Sequence, residues 1–491
     1  MTDFAGKSQD PILAPGRNCW RVAEANRAAV LVDGAAYFAA LEGALSRARR
    51  SVLIVGWDFD GRIGLRPDQP DAPALGPYLR SLVERHPDLE IRILVWSVAV
   101  IHAPGSPMQL LLGAEWQHHP RIHVKLDTEH PVYAAHHQKI VAIDDVLAFV
   151  GGTDLTVGRW DTPRHDPEDP CRRDPDGRAY PPVHDLQMAV DGEAARAVAD
   201  VARQRWRVAT GEELVPPDHE AADAWPPELA AEFRNIPIAV ARTSPPWKGQ
   251  RGVRESAALT VDALRAARTC IYLEAQYLTA DEIGAVLAEA LARPDGPEVV
   301  VVVTRRSHGL AERVVMGRNR DRLLRRLKRA DRYDRLRVFY PVVPASTGEC
   351  EVLVHAKLVL VDTCFLRIGS SNLNNRSIGL DTECDLAIEA RDEATARAIS
   401  ALRDRLVAEH LCAEAEQVRA CLADGNSLVA TIDRLNVSSR CLRPLKIDHR
   451  PGPVTPVWVT SLFDPERPFR LLSPLMRGLS PLLRGRRRRR A

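Results

Sequence analysis

Two stretches of this chain carry the same potentially reactive residues at the same spacing. The first, His136–Asp154, reads HHQKIVAIDDVLAFVGGTD, and the second, His355–Asn372, reads HAKLVLVDTCFLRIGSSN. Aligned on His137 and His355, both run H-x-K-x-x-x-x-D, then six residues, a pair of small residues, and a carboxylate or amide two places on. His137, Lys139, Asp144, Gly151, Gly152 and Asp154 fall opposite His355, Lys357, Asp362, Gly369, Ser370 and Asn372 without a gap. A single His-x-Lys arises easily by chance. Two frames that agree at this many polar and small positions mark a duplication.

The chemistry these residues suit is phosphoryl transfer on a diester. Two ammonium groups neutralise the non-bridging oxygens and stabilise transition-state charge. One imidazole attacks phosphorus; the other protonates the departing alkoxide and then activates water or an alcohol. The scheme calls for no metal and no cofactor, because the lysines supply the electrostatics. For it to work, each half must place its histidine and lysine side by side. The apolar runs IVAI and LVLV that follow the lysines read as buried strands, and residues two apart on a strand share a face. Asp144 and Asp362 fall in the turns to the next strands, where a structural role competes with a catalytic one. The pairs Gly151-Gly152 and Gly369-Ser370 admit close backbone approach.

The paired motif resembles the two HKD motifs of the phospholipase D superfamily. GRWDTPRH (Gly158–His165) is similar to the segment after the first motif of eukaryotic-type phospholipases D, and NLNNRSIGLDTECDLAI (residues 373–388 with Asn372 ahead of them) is similar to the segment after the second. IVGWDF and IYLEAQYL look like the opening strands of that family's two lobes. The resemblance covers roughly residues 20 to 445. It implies His137, Lys139, Asp144, His355, Lys357 and Asp362 as the catalytic set, with His137 the nucleophile and His355 the acid and base. It further implies Glu383 as the residue orienting His355 and Asp185 as the residue orienting His137, since the second ring nitrogen of each must be held. Phosphate is expected on Lys139, Lys357 and Asn372. Asp154 stands where symmetrical members have Asn, and neither it nor Ser370 receives a role. His136 is expected on the opposite strand face, as a bystander.

Helical patterns alternate with strands in the same order in each half, which argues for an α/β fold covered on both sheet faces. The expected architecture is two similar phospholipase D-like lobes, each a mixed β-sheet flanked by helices, related by a pseudo-two-fold with the active site between them. Residues 1–20 read as an N-terminal extension, 21–211 as the first lobe, 212–247 as a proline-rich connector, 248–445 as the second lobe and 446–491 as a basic tail.

Composition is ordinary for a globular protein, with 45% hydrophobic and 27% charged residues. Nine cysteines without a C-x-x-C pair suggest a reducing compartment rather than a disulfide frame or zinc site. The N-terminus lacks a signal-peptide pattern and the apolar runs are short, so a cytoplasmic protein, peripheral to the inner membrane face, is expected. Residues 466–491 hold nine arginines and one acid, leaving 58 basic against 64 acidic residues in the remainder. Each basic residue near an anionic leaflet contributes about 1 kcal/mol, so the tail is a candidate membrane tether. The basic segment Arg318–Arg332 reads as a helix packed through Leu323, Leu324 and Leu327, with contact to anionic headgroups as the sharper alternative. The acidic loop His165–Tyr180 does not have EF-hand spacing and reads as solvated surface rather than a calcium site.

The resemblance implies a phospholipase D that hydrolyses the distal phosphodiester of a glycerophospholipid through a phosphohistidine, with an alcohol able to replace water. The alternatives are a cardiolipin-synthase-like transferase and a nuclease of the same superfamily. An acidic body without a basic, aromatic-interleaved groove argues against a nucleic-acid partner. A monomer is expected.

Overall fold

The computed structural model describes residues 11–97, 113–131, 133–217, 222–305, 310–446 and 464–467. Apart from the short pair Leu353–Val354 and Val183–His184, the described strands are joined into one mixed sheet, closed on itself, whose two halves repeat a single pairing order. In the first half Ile122–Asp127, Glu90–Trp96 and Ser51–Gly56 pair in parallel. Ile140–Ile143, Leu147–Gly151, Leu186–Asp191 and Arg21–Val32 then follow antiparallel. In the second half Leu336–Ala345, Glu298–Val303 and Cys270–Ala275 are the parallel set. Lys357–Val361, Phe365–Gly369, Glu383–Glu389 and Phe233–Ser244 complete it antiparallel. The central parallel strands Ser51–Gly56 and Glu298–Val303 are apolar almost throughout, Val299–Val303 being the extreme case, as strands covered on both faces must be.

Two 12-residue strands weld the halves together. Arg21–Val32 pairs with Leu186–Asp191 through its C-terminal part and with Phe233–Ser244 through its N-terminal part. Phe233–Ser244 carries the sheet on to Glu383–Glu389. A strand thus lies inside the expected connector 212–247 and belongs to the second half of the sheet. The flanking prolines read as a linker, while the alternating apolar residues Ile236, Ile238 and Val240 bury one strand face. The extension is also not free: Ile12 and Leu13 are buried, and their backbone N–H groups donate to the Glu389 carboxylate at 2.8 and 3.3 Å.

Helices cover both faces. The helices Gly192–Thr210 and Glu393–Leu411 occupy matching places at the end of each half and bury their apolar stripes in one core shared by both lobes. On the outer face Asp33–Leu45 and Leu75–Arg85 close a second core. Glu255–Ala266, Asp281–Ala292 and Leu310–Ala330 close a third. Leu323, Leu324 and Leu327 of the basic helix are buried, so that helix packs through its leucines. Among the described residues no helix is long and apolar enough to cross a membrane. The tail beyond residue 467 lies outside the described residues.

Candidate active site

The sheet places the two motifs at its centre, and short pairings across the lobe boundary bring them together. Ahead of each motif histidine, the chain pairs in parallel with the segment leading to the other half's carboxylate. The backbone N–H of His137 donates to the carbonyl of Thr382 at 3.0 Å, and Thr382 N–H donates to Ala135. Symmetrically, His355 N–H donates to the His184 carbonyl at 2.7 Å, where Leu353–Val354 pairs with Val183–His184. The orienting carboxylates are therefore exchanged. Glu383 Oε2 lies 3.0 Å from Nδ1 of His137, and Asp185 Oδ2 lies 2.7 Å from Nδ1 of His355. This corrects the expected assignment of each carboxylate to its own half. The reason is topological: each carboxylate stands at the start of a strand that begins beside the opposite motif.

The hydrogen bonds also fix the tautomer. Nδ1 of His137 lies 3.0 Å from the Ser370 carbonyl, which can only accept, so Nδ1 carries the proton and Nε2 keeps its lone pair in the neutral ring. Burial, reinforced by Lys139 and Lys357, holds His137 well below the usual imidazole range. Burial and Lys357 do the same for His355. The two carboxylates differ. Burial pushes Glu383 up to about 8 despite a hydroxyl donated by Ser370 at 2.6 Å. Burial would raise Asp185 too, but His355, Lys357 and the Leu186 N–H at 2.9 Å outweigh it and hold Asp185 ionised. His137 thus faces a largely protonated acid at neutral pH, and His355 faces a carboxylate. The His137 side chain is also the more accessible, 16% against 7% for His355.

Both lysines point back along their strands. Lys139 Nζ donates to the His137 carbonyl at 2.9 Å and pairs with Asp154 Oδ2 at 3.1 Å. Lys357 Nζ contacts the His355 carbonyl, His355 Nδ1 and, at 3.2 Å, the Gln276 amide oxygen. Burial, with the charges of Lys139 and Arg159 against it, lowers Lys357 to about 7, although Asp185 acts in the opposite direction. Asp154 is thus the counter-ion of Lys139, tied down by the Trp57 N–H at 2.9 Å. Asn372 takes its place in the second half, with its backbone N–H held by Ser377 and its side-chain oxygen buried without a hydrogen bond.

Asp144 and Asp362, expected in the catalytic set, are placed elsewhere. Asp144 accepts from the backbone N–H groups of Arg49, Arg50 and Ser51, and Asp362 accepts from those of Arg268, Thr269 and Cys270. Both adopt positive φ, 50° and 51°, in the hairpin turns at the opposite strand ends from the lysines. Their work is to pin each turn to the start of the neighbouring parallel strand. The small residues instead pack directly on buried carboxylates. A Cβ on Gly152 would stand 2.1 Å from Asp185 Oδ1, and one on Gly369 would stand 2.0 Å from Asp385 Oδ1. Ser370, opposite Gly152, turns that contact into its hydrogen bond to Glu383.

His136 is buried facing away from the site, between Asp127 at 3.1 Å and the Thr382 hydroxyl at 3.1 Å. Burial lowers it to about 4. Sequence reasoning passed over Trp57 and Gln276, which hold Asp154 and Lys357. Their signal is positional, since each stands immediately after the opening parallel strand of its half.

A two-lobed α/β enzyme fold with a histidine–lysine pair from each lobe, each imidazole backed by a carboxylate of the other lobe, is the class this geometry defines. Family comparison gives the same division. "Phospholipase D" matches residues 44–225 and "Cardiolipin synthase, PLD-like domain" matches residues 260–405, one in each half. The chain belongs to the phospholipase D superfamily. It is 25% identical to phospholipase D A of Dictyostelium discoideum over 433 residues, 74% of this chain and 32% of that protein. It is 34% identical to phospholipase D2 of Bos taurus over 133 residues, 26% of this chain and 14% of that protein. The chain thus spans a third or less of these relatives. The crystal structure of phosphatidylserine synthase from Haemophilus influenzae matches 78% of this chain and 87% of its own with a TM-score of 0.51 at 11% identity, a likeness of fold.

Proposed function

We propose that the protein is a phospholipase D, hydrolysing the distal phosphodiester of a glycerophospholipid to phosphatidate and a head-group alcohol. The observation that carries this reading is the crosswise carboxylate–histidine pairing, which readies two imidazoles for different tasks around one phosphate. His137, neutral and with a free Nε2, attacks phosphorus and displaces the head-group oxygen. Burial and Lys357 hold His355 low, but the ionised Asp185 at its Nδ1 and the charge of the bound phosphate favour its imidazolium form, which gives that oxygen its proton. The neutral His355 then takes a proton from water, which attacks the phosphohistidine and releases His137. Lys139, Lys357 and Asn372 hold the phosphoryl oxygens. When the phosphate arrives, its charge competes with Asp154 for Lys139 and restores the proton of Lys357.

A second reading has support of its own. The cardiolipin synthase-type match over residues 260–405 and the fold likeness to a phosphatidylserine synthase favour an alcohol in place of water as acceptor. Incubation with phosphatidylcholine or phosphatidylglycerol, with and without a primary alcohol, separates the two. Phosphatidate as main product supports the hydrolase, and dominant head-group exchange at low alcohol supports the transferase. Degradation of plasmid DNA with no lipid turnover would replace both with a nuclease. We further propose that the protein works at the cytoplasmic membrane face, held there by the arginine-rich segment 466–491.

A further inference from the structure

A second cluster of ionisable groups lies outside the His–Lys site, at the seam between the lobes. Asp33 opens the first outer helix, His165 and His184 bracket the acidic loop, and Glu409 comes from the last long helix of the second lobe. All four side chains are enclosed, none more than 7% exposed. His165 Nε2 lies 3.0 Å from Glu409 Oε1 and 3.6 Å from Asp33 Oδ2. His184 Nδ1 lies 2.9 Å from Asp33 Oδ1 and 3.3 Å from Glu409 Oε1. Two imidazole nitrogens and two carboxylates thus alternate around a closed ring.

Those separations suit a common ion. Four ligand atoms at the usual distances from a tetrahedral zinc stand ~3.3 Å from one another; one ligand atom from each of the four residues lies within 4.8 Å of the others, and the close contacts, in which Asp33 turns one oxygen to each imidazole, run from 2.9 to 3.6 Å. Asp33 Oδ2 and His184 Nδ1 are fully buried and have no hydrogen bond of proper alignment, although their neighbours are close. Two ligands turned toward a shared ion, rather than toward each other, have that relation. The outer ring nitrogens are also arranged for it. His165 Nδ1 lies 2.9 Å from Asp161 Oδ2, and His184 Nε2 lies 2.8 Å from Glu274 Oε2. Metal-binding histidines typically give their second N–H to a carboxylate in this way, which fixes the ring and strengthens the ligand.

We propose that Asp33, His165, His184 and Glu409 bind one structural zinc ion that ties the second lobe to the first. Its two charges balance Asp33 and Glu409, as two protons on the imidazoles otherwise would. The ion serves no step of the reaction. It fixes the chain around His184, immediately before the carboxylate that orients His355.

The test is metal content of the untagged full-length protein, produced with zinc supplied and purified by gel filtration. About one zinc per chain is expected, as for a closed structural site. Glu409→Gln and His165→Asn should each lose it, and His137→Ala should keep it. In the wild type, chelation should lower the thermal midpoint, and cobalt should then restore it with the visible absorption of a four-coordinate ion. A metal-free wild type that gains no such absorption with cobalt overturns the proposal, leaving a proton-balanced cluster. Zinc retained in Glu409→Gln, or lost in His137→Ala, overturns it equally. If the variants do not fold, the chelation and cobalt measurements on the wild type decide alone.

Discussion

Replacing each orienting carboxylate by its amide tests the crosswise pairing, and the two variants should behave differently. Asp185 is held ionised 2.7 Å from Nδ1 of His355. Asp185→Asn removes a charge-assisted hydrogen bond to the imidazolium, worth roughly 1.5–3 kcal/mol. That corresponds to about 10- to 150-fold in the steps His355 serves. Glu383 is a different case, because burial raises it from 4.5 to about 8. Below that pH the wild-type side chain is a neutral acid, and Glu383→Gln exchanges it for a neutral amide of the same shape. Above it, the wild type gains a carboxylate facing the His137 N–H and the variant does not. Attack by His137 should therefore quicken through about pH 8 in the wild type and stay flat in Glu383→Gln. The sign for stability runs the other way: a raised carboxyl pKa favours the protonated native state, so stability falls as pH rises from 4.5 toward 8, and the amide abolishes that fall. Rapid-quench kinetics with a short-chain p-nitrophenyl phosphodiester separate the steps, since a good leaving group needs no proton from His355. Asp185→Asn should keep its p-nitrophenol burst and lose steady-state turnover. Glu383→Gln should match the wild type at low pH and show a slower burst at high pH. A burst abolished by Asp185→Asn but untouched by Glu383→Gln at every pH would refute the exchanged pairing.

Three further outcomes follow from the same geometry and a fourth from the charge of the tail. Asp144→Ala orphans three backbone N–H groups bonded at 2.7 to 2.8 Å. It should lower unfolding free energy by roughly 2–3 kcal/mol in denaturant titration, with the remaining folded enzyme active. Asp154→Asn removes the counter-ion 3.1 Å from Lys139. Inhibition by vanadate should then tighten roughly five- to tenfold, about 1–1.4 kcal/mol. Gly152→Ala sets a methyl group 2.1 Å from Asp185 Oδ1 and should reproduce the Asp185→Asn turnover defect without touching a reacting group. Deleting residues 466–491 should abolish co-sedimentation with anionic vesicles while leaving hydrolysis of a soluble substrate intact; unchanged co-sedimentation removes the tether.

Most elements were legible in the sequence because both halves use strands buried on two faces, and IVAI, LVLV and Val299–Val303 are uninterrupted apolar runs. The strands Arg21–Val32 and Phe233–Ser244 were not. Each mixes charged and apolar residues and stands beside prolines or a helix signal, so local pattern gives no hint that together they join the lobes. The histidines and lysines were legible through the repeat itself. The exchange of Glu383 and Asp185 was not, since residues 246 and 170 positions from their histidines meet only through the pairing across the seam. Asp144 and Asp362 show the limit of reading a motif by its letters: a repeated aspartate was equally consistent with a repeated turn. The cluster of Asp33, His165, His184 and Glu409 draws on four distant places and has no spacing to recognise.

The central claim is that His137 and His355 act in turn on one phosphorus atom. Mass spectrometry of His355→Asn, quenched during turnover of a short-chain phosphatidylcholine, tests it most directly. The account predicts a phosphatidyl adduct on His137 that accumulates in this variant and is absent from His137→Ala. An adduct on any other residue, or none while hydrolysis still proceeds in His137→Ala, would contradict it.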